Sequence, residues 1–179
     1  MTLLSELYKP VILGCTFIWL GAAELRAEVL VPVATDLHAD GETARTSRLP
    51  ILLAFLARYC SYCEELEEGY LKPMLRSGEY AERILIRKLI LDNGSHLTDF
   101  NGEKISATAL ATRYRVYVTP TILFVDAAGE ELAGRMVGFN TPEMYGGYLD
   151  QCIETARHII RGTGEAADLN TCRLMEQEL

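Results

Sequence analysis

A pair of cysteines, Cys60 and Cys63, stands directly behind a six-residue apolar run, Ile51–Leu56 (ILLAFL). The run is continuous rather than alternating, and it is too short for a long core helix. That pattern predicts a central strand buried on both faces. Behind the pair comes Glu64-Glu65-Leu66-Glu67-Glu68-Gly69-Tyr70-Leu71. Leu66 and Tyr70 lie four apart and share a face of a helix, and acids near a helix start suit its positive end. Cys60 is therefore expected at the seam between a buried strand and a helix N-terminus.

The seam has chemical consequences. Amides of a first helical turn lack partners and point outward. They favour a thiolate at Cys60, below the free-cysteine pKa of about 8.5. The spacing lets Cys63 fold back over the turn, so the pair is expected to form a disulfide in which Cys60 attacks and Cys63 resolves. The alternatives are half of a metal site or two inert core thiols. His38, His96 and His158 are irregularly spaced, and no second two-spaced cysteine pair completes a zinc knuckle.

Composition bounds the partners. The chain has 179 residues, 25 acids against 17 bases and a net charge of -8. That balance opposes nucleic-acid binding, and the length suits one domain with a proper core. Residues 1 to 27 read as a signal peptide. An uncharged stretch from Pro10 to Ala23 has the length of an apolar signal core and is short for a membrane span, and small residues precede a cleavage expected after Ala27. An uncleaved membrane anchor is the alternative. The export reading places the protein in the periplasm. It also leaves four of the five cysteines in a compartment that permits disulfides.

Residues 28 to 48 are expected to be an N-terminal extension: Val29 to Val33 begin a strand or cover the domain, and 36 to 48 form a short polar helix or loop. A domain over residues 49 to 162 follows, with a tail over 163 to 179. Within the domain, a short helix is expected after Ser77. Ile84 to Leu91 (ILIRKLIL) predicts a second strand, and 93 to 104 a loop. Ser106 is expected to cap a helix reaching about Tyr114. Ile122 to Val125 predicts a third strand behind Pro120, and Asp126 to Gly129 turn into an antiparallel partner over 131 to 137. Thr141 and Pro142 open a last helix whose apolar stripe includes Tyr148, Leu149, Cys152, Ile153, Ala156, Ile159 and Ile160. The fold class is α/β, a mixed sheet covered on both sides. Cys152 on that stripe and Cys172 in the tail are 20 residues apart. They are either joined in a structural disulfide or two independent thiols, with a second redox pair as a third case.

From about Leu49 to His158 the sequence resembles the thioredoxin superfamily. The resemblance rests on ILLAFL, on Cys60-Ser61-Tyr62-Cys63, on Thr119-Pro120 and on the closing hairpin and helix. It implies a thioredoxin-like fold, with Cys60 as exposed nucleophile and Cys63 as buried resolving thiol. It further implies a cis Pro120 facing the disulfide across a substrate groove, and a Thr119 backbone that binds an extended substrate. Ser61 and Tyr62 would complete the substrate-facing surface. Two departures narrow the choice. Ser61-Tyr62 replaces the Gly-Pro of cytosolic thioredoxins, and Ala54 stands six residues before Cys60, where those proteins bury an acid. Glu64 and Glu65 are possible substitutes for it.

The Xaa-Tyr pair and Thr119 are similar to periplasmic thiol-disulfide proteins. The run through Leu71 and Pro73 is similar to secreted single-domain reductases, among them the one accompanying sulfur-oxidation enzymes. The expected function is reduction of protein disulfides by a monomer without cofactor or metal, recharged by a membrane or periplasmic redox partner. A disulfide-donating oxidase of the same fold and a non-catalytic peptide-binding module are the alternatives.

Overall fold

The structure is a computed structural model that describes residues 28–140, 142–163 and Cys172. The element order is α1 (Leu37–Ser47), β1 (Ile51–Leu56), α2 (Ser61–Leu66), a π-turn (Glu67–Leu71), α3 (Lys72–Ser77), β2 (Leu85–Ile90), β3 (His96–Thr98), β4 (Lys104–Ser106), α4 (Ala107–Arg113), β5 (Thr121–Val125), β6 (Met136–Val137) and α5 (Pro142–Arg161). The main sheet runs β2-β1-β5-β6, with β1 parallel to β2 and antiparallel to β5. The fold is thioredoxin-like: a mixed central sheet flanked by helices.

The position of β1 explains its composition. It lies between β2 and β5, and all six of its residues are buried. Leu52, Ala54 and Leu56 face a core built with Leu66, Leu71, Leu149, Ile153 and Cys63. Ile51, Leu53 and Phe55 face the opposite core, with Leu37, Ala44, Leu110 and Ala111. Both faces of the strand are covered, so no polar alternation is needed.

β2 carries two cations in an otherwise apolar strand, and each finds a carboxylate on its own side. Arg87 reaches Asp40 of α1, with Nη2 2.6 Å from Oδ1. Lys88 reaches Glu67 of the π-turn, with Nζ 2.5 Å from Oε1. Charges this deep persist only when paired.

Residues 28 to 48 are built into the domain rather than set beside it. The Ala34 N–H donates to the Lys88 carbonyl and the Lys88 N–H to the Pro32 carbonyl, which adds a short segment to the free edge of β2. Asp36 caps α1 by accepting from the Ala39 amide. Leu37, Gly41 and Ala44 bury its inner face, and Gly41 is required there because a Cβ would meet the Ala127 carbonyl oxygen.

Four local expectations change. Ser77 ends α3 instead of starting a helix: its hydroxyl donates to the Met74 carbonyl, and Gly78 follows at φ +73°. The loop after Asp92 holds the β3–β4 hairpin, organised by Asp99 below. Strand pairing after the Asp126–Gly129 turn is confined to a bridge at Glu131 and to Met136–Val137. Tyr145 and Thr155 join the buried face of α5, whereas Ile159 is exposed.

Among the described residues no helix is long and apolar enough to cross a membrane. The segment 1–27 expected to be a signal peptide, Thr141 with its expected cap, and the tail apart from Thr163 and Cys172 lie outside the described residues.

Candidate active site

Cys60 and Cys63 are joined in a disulfide with their Cα atoms 5.2 Å apart. Cys60 is the N-cap of α2, in an extended conformation, and the Cys63 N–H donates to its Sγ at 3.2 Å. The end of β1 thus delivers the first sulfur to an amide in the first turn of the following helix, which it shares with the Cys60 carbonyl. Cys63 points into the core and is 3% exposed, whereas Cys60 is only partly buried.

The Thr119–Pro120 bond is cis. Cys60 Sγ lies 3.7 Å from the Thr119 carbonyl oxygen and 3.8 Å from its hydroxyl. The loop before β5 is held in place from both ends. The Thr121 hydroxyl donates to the Val118 carbonyl at 2.7 Å, and the Gly138 N–H to the Pro120 carbonyl at 2.8 Å. The structure therefore brings Cys60, Cys63, Thr119 and Pro120 together. Ser61 and Tyr62 sit on the exposed first turn of α2.

The rim is apolar and open. Tyr59 is 92% exposed, Tyr117 81% and Tyr62 58%, with Val118 half exposed. Behind the disulfide is a cavity of about 360 Å³ lined by Leu56, Arg58, Cys60, Cys63, Glu64, Glu67, Glu68 and Ile90, among others. Arg58 is held at its edge by Asp92, whose carboxylate accepts from the Arg58 amide and whose carbonyl accepts from its guanidinium. Glu68 is bound by Lys72, which also meets Glu28. The Glu68 hydrogen bond raises the Lys72 pKa, against the opposing effect of burial.

Cys152 and Cys172 form a second disulfide, Cα atoms 5.1 Å apart and both side chains buried in the core that also holds Cys63. It lies apart from the residues that line the cavity. Two residues that shape the site were not singled out from sequence: Lys88, which pairs with Glu67 of the cavity lining, and Phe139, which stacks on Tyr62. Lys88 left a signal, a cation inside an apolar strand. Phe139 left none.

A family model described as a thioredoxin-like domain matches residues 37–153. The chain belongs to the thioredoxin-like domain family. The match opens at α1, which the structure also builds into the domain. Among curated proteins, the chain is similar to the thiol:disulfide interchange protein DsbD of Ralstonia nicotianae. The two are 25% identical over 127 residues, covering 71% of this chain and 19% of that protein. The chain thus spans about a fifth of that relative's length.

Among solved structures, a thioredoxin-fold protein from Helicobacter pylori aligns at 22% identity and a TM-score of 0.49, covering 78% of this chain and 92% of that one. Thioredoxin f from spinach chloroplast aligns at 18% identity and a TM-score of 0.48, covering 74% and 99%. Within this thioredoxin-like domain the Cys60–Cys63 pair has the arrangement of a redox-active disulfide.

Proposed function

We propose that the protein is a periplasmic thiol-disulfide oxidoreductase that reduces protein disulfides through a Cys60–Cys63 dithiol. The observation that carries this reading is the placement of Cys60 Sγ. It is partly exposed, it accepts from the Cys63 amide, and it lies 3.7 Å from the Thr119 carbonyl. An extended substrate pairing with the Thr119 backbone would bring its own disulfide to that sulfur.

The reaction runs in two exchanges. The Cys60 thiolate attacks one substrate sulfur and expels the other as a thiolate, giving a mixed disulfide. Cys63 then attacks Cys60 Sγ and releases the second substrate thiol. Two electrons pass from the dithiol to the substrate. A membrane or periplasmic thiol partner returns them, and the protein works as a monomer with no cofactor. The name of the Ralstonia relative, an interchange protein for thiols and disulfides, supports the chemistry. The direction is supported by Glu64, Glu67 and Glu68 around the cavity, because nearby negative charge disfavours a thiolate and so the reduced form. The apolar rim of Tyr59, Tyr62, Tyr117 and Val118 suits unfolded or loosely folded protein segments as substrates.

Single-cysteine variants test the assignment. Cys63→Ala should accumulate mixed disulfides through Cys60 with a disulfide-bonded protein substrate, and Cys60→Ala should accumulate none. Wild-type reduction rates in both variants would reject it.

A further inference from the structure

The backbone that leads to the cis-proline is strained at one arginine. Among the described residues, Arg48 and Arg115 are the two that are not glycine and have a positive φ, of 53° and 55°. The left-handed region crowds any Cβ, whereas glycine takes it freely. At Arg115 this backbone closes the turn that ends α4. The Arg115 N–H donates to the Thr112 carbonyl, and the Val116 N–H donates to the Ala111 carbonyl. Glycine would make the same two bonds without the crowding. The turn therefore explains the conformation but not the arginine, and strain of this kind gathers at functional sites.

We propose that Arg115 is a specificity-determining residue. Its guanidinium pairs with an acidic side chain of an extended substrate that lies along Tyr117 and Thr119. The four steps of chain from Thr119 to Arg115 span at most about 14 Å. The substrate acid is therefore placed about three to five residues from the reacting cysteine, at about 3.3 Å per extended residue. The inference rests on the dithiol reading above and names the substrate class of that site: extended segments with an acid at this spacing.

The placement of Arg115 supports the pairing. Arg115 and Tyr117 are exposed on either side of Val116, which is buried in the core with Leu110 and Ala111. Both side chains therefore face outward. Tyr117 and Val118 lead directly to Thr119, whose carbonyl lies 3.7 Å from Cys60 Sγ. Among the described residues the Arg115 side chain has no ion pair and no hydrogen bond. The cations around it are engaged. Arg113 is bonded to Asp99, and Arg135 is held by Glu131 and donates to the Tyr114 carbonyl. Arg113 already places a cation in the last turn of α4, so the negative end of that helix does not call for a second.

The acids of the cavity belong to a separate surface. Glu64, Glu67 and Glu68 line it, and no residue of 114–121 does. A substrate acid at Arg115 therefore meets a local positive charge on a chain whose net charge is -8. Arg48 supplies the contrast. It ends α1 in the same left-handed conformation, but it precedes β1, at the end of that strand opposite Cys60. Strain alone does not make a site, and the place of Arg115 on the loop of Thr119 and Pro120 is what separates the two.

The test uses the reduced full-length protein and paired synthetic peptides. Each peptide has one cysteine, held in a mixed disulfide with 2-mercaptoethanol. The two members of a pair differ only by Glu or Gln at one of the spacings named above, on either side of the cysteine. Second-order rates of reduction are read by acid quench and mass spectrometry. At low ionic strength and at one of these placements, wild type should reduce the Glu peptide about three- to fivefold faster, the upper range for an exposed ion pair. The ratio should fall to about one in Arg115→Gly and Arg115→Asn, persist in Arg115→Lys, and keep its wild-type value in Arg48→Gly. It should also fall to about one in 1 M salt, where the screening length is about 3 Å. Arg115→Gly should raise the urea midpoint, because the crowding is gone.

A wild-type ratio of one at every placement would overturn the inference without any variant. So would a ratio that survives in Arg115→Gly or is lost equally in Arg48→Gly. A urea midpoint that does not rise in Arg115→Gly would overturn the reading of Arg115 as a strained residue retained for its charge. These outcomes leave the dithiol reading intact. Failure of wild type to reduce either member of any pair would overturn that reading and this one together.

Discussion

Tyr62 stacks on Phe139, with ring centroids 6.3 Å apart and planes inclined by 23°. Phe139 in turn meets Tyr145 at 4.5 Å and Tyr70 at 5.7 Å. The turn between the two cysteines is thereby joined to the loop after β6, to the start of α5 and to the π-turn. A residue facing solvent at the disulfide is at the same time one end of an aromatic cluster.

Removing that end should loosen the turn without removing the nucleophile. Aromatic pairs contribute about 0.5–1.5 kcal/mol beyond burial. Tyr62→Ala should therefore cost about 1 kcal/mol, read as a lower urea midpoint at constant m-value, and Tyr62→Phe should cost much less. Alkylation of Cys60 in the reduced protein should change less than threefold, because the Cys63 amide that bonds its sulfur is untouched. A Tyr62→Ala variant as stable as wild type would reject the stack as an anchor.

The second disulfide should behave differently from the first. Cys152 and Cys172 close a loop with a sequence separation of 20, and both are buried. The chain-entropy relation gives about 3 kcal/mol for a loop of that length. Cys172→Ala should lower the melting temperature by roughly 6–12 °C. Mild dithiol treatment of the native protein should free Cys60 and Cys63 for alkylation while Cys152 and Cys172 stay blocked. Alkylation of all four at one rate would remove the distinction between a working and a structural bridge.

Acid should weaken the β3–β4 hairpin through Asp99. The Asp99 carboxylate is fully buried and accepts from the amides of Asn101 and Glu103 at 2.9 Å and from Arg113 Nη1 at 2.6 Å. Burial pushes its pKa up, but the Arg113 bond and the two amides outweigh burial and hold it below the ordinary carboxylate value. A depressed folded-state pKa gives stability that is fully present above the unfolded value of about 3.9 and fades as pH falls through the folded one. Asp99→Asn should cost about 1–3 kcal/mol at pH 7, and its deficit relative to wild type should shrink below about pH 4. A deficit independent of pH would show that the charge on Asp99 contributes nothing.

The contrast between these features shows what a linear chain discloses. The ILLAFL run named a doubly covered strand because burial on two faces removes polar alternation, and the capping residue Ser106 marked the start of α4 because its oxygen takes the Ala109 amide. The β3–β4 hairpin was hidden. Its strands are three residues each, and its order comes from one buried carboxylate and an arginine 14 residues away. The cysteine pair was legible because its chemistry is local. The pairing of its acids was not: Glu67 is held by Lys88, 21 residues on, where the helical winding changes.

The acidic surroundings of the disulfide set its potential. Stabilising the reduced Cys60 thiolate makes a pair more oxidising, and one amide bond from Cys63 acts in that direction. Against it stand Glu64, Glu67 and Glu68 around the same cavity. Of the cations there, Lys88 is engaged by Glu67 and Lys72 by Glu68. Arg58 is bonded to Asp92 and packs over Tyr59 at 5.6 Å. The thiolate therefore lacks a dedicated positive partner. Titration against glutathione should give a potential below about -180 mV, the value of the protein disulfide isomerase class, whereas a strong oxidant lies near -120 mV. Replacing Glu64 by Gln should raise the potential, since Glu64, unlike Glu67 and Glu68, has no cation paired to it among the described residues. A wild-type value near -120 mV would reverse the proposed direction of electron flow and make the protein a disulfide donor.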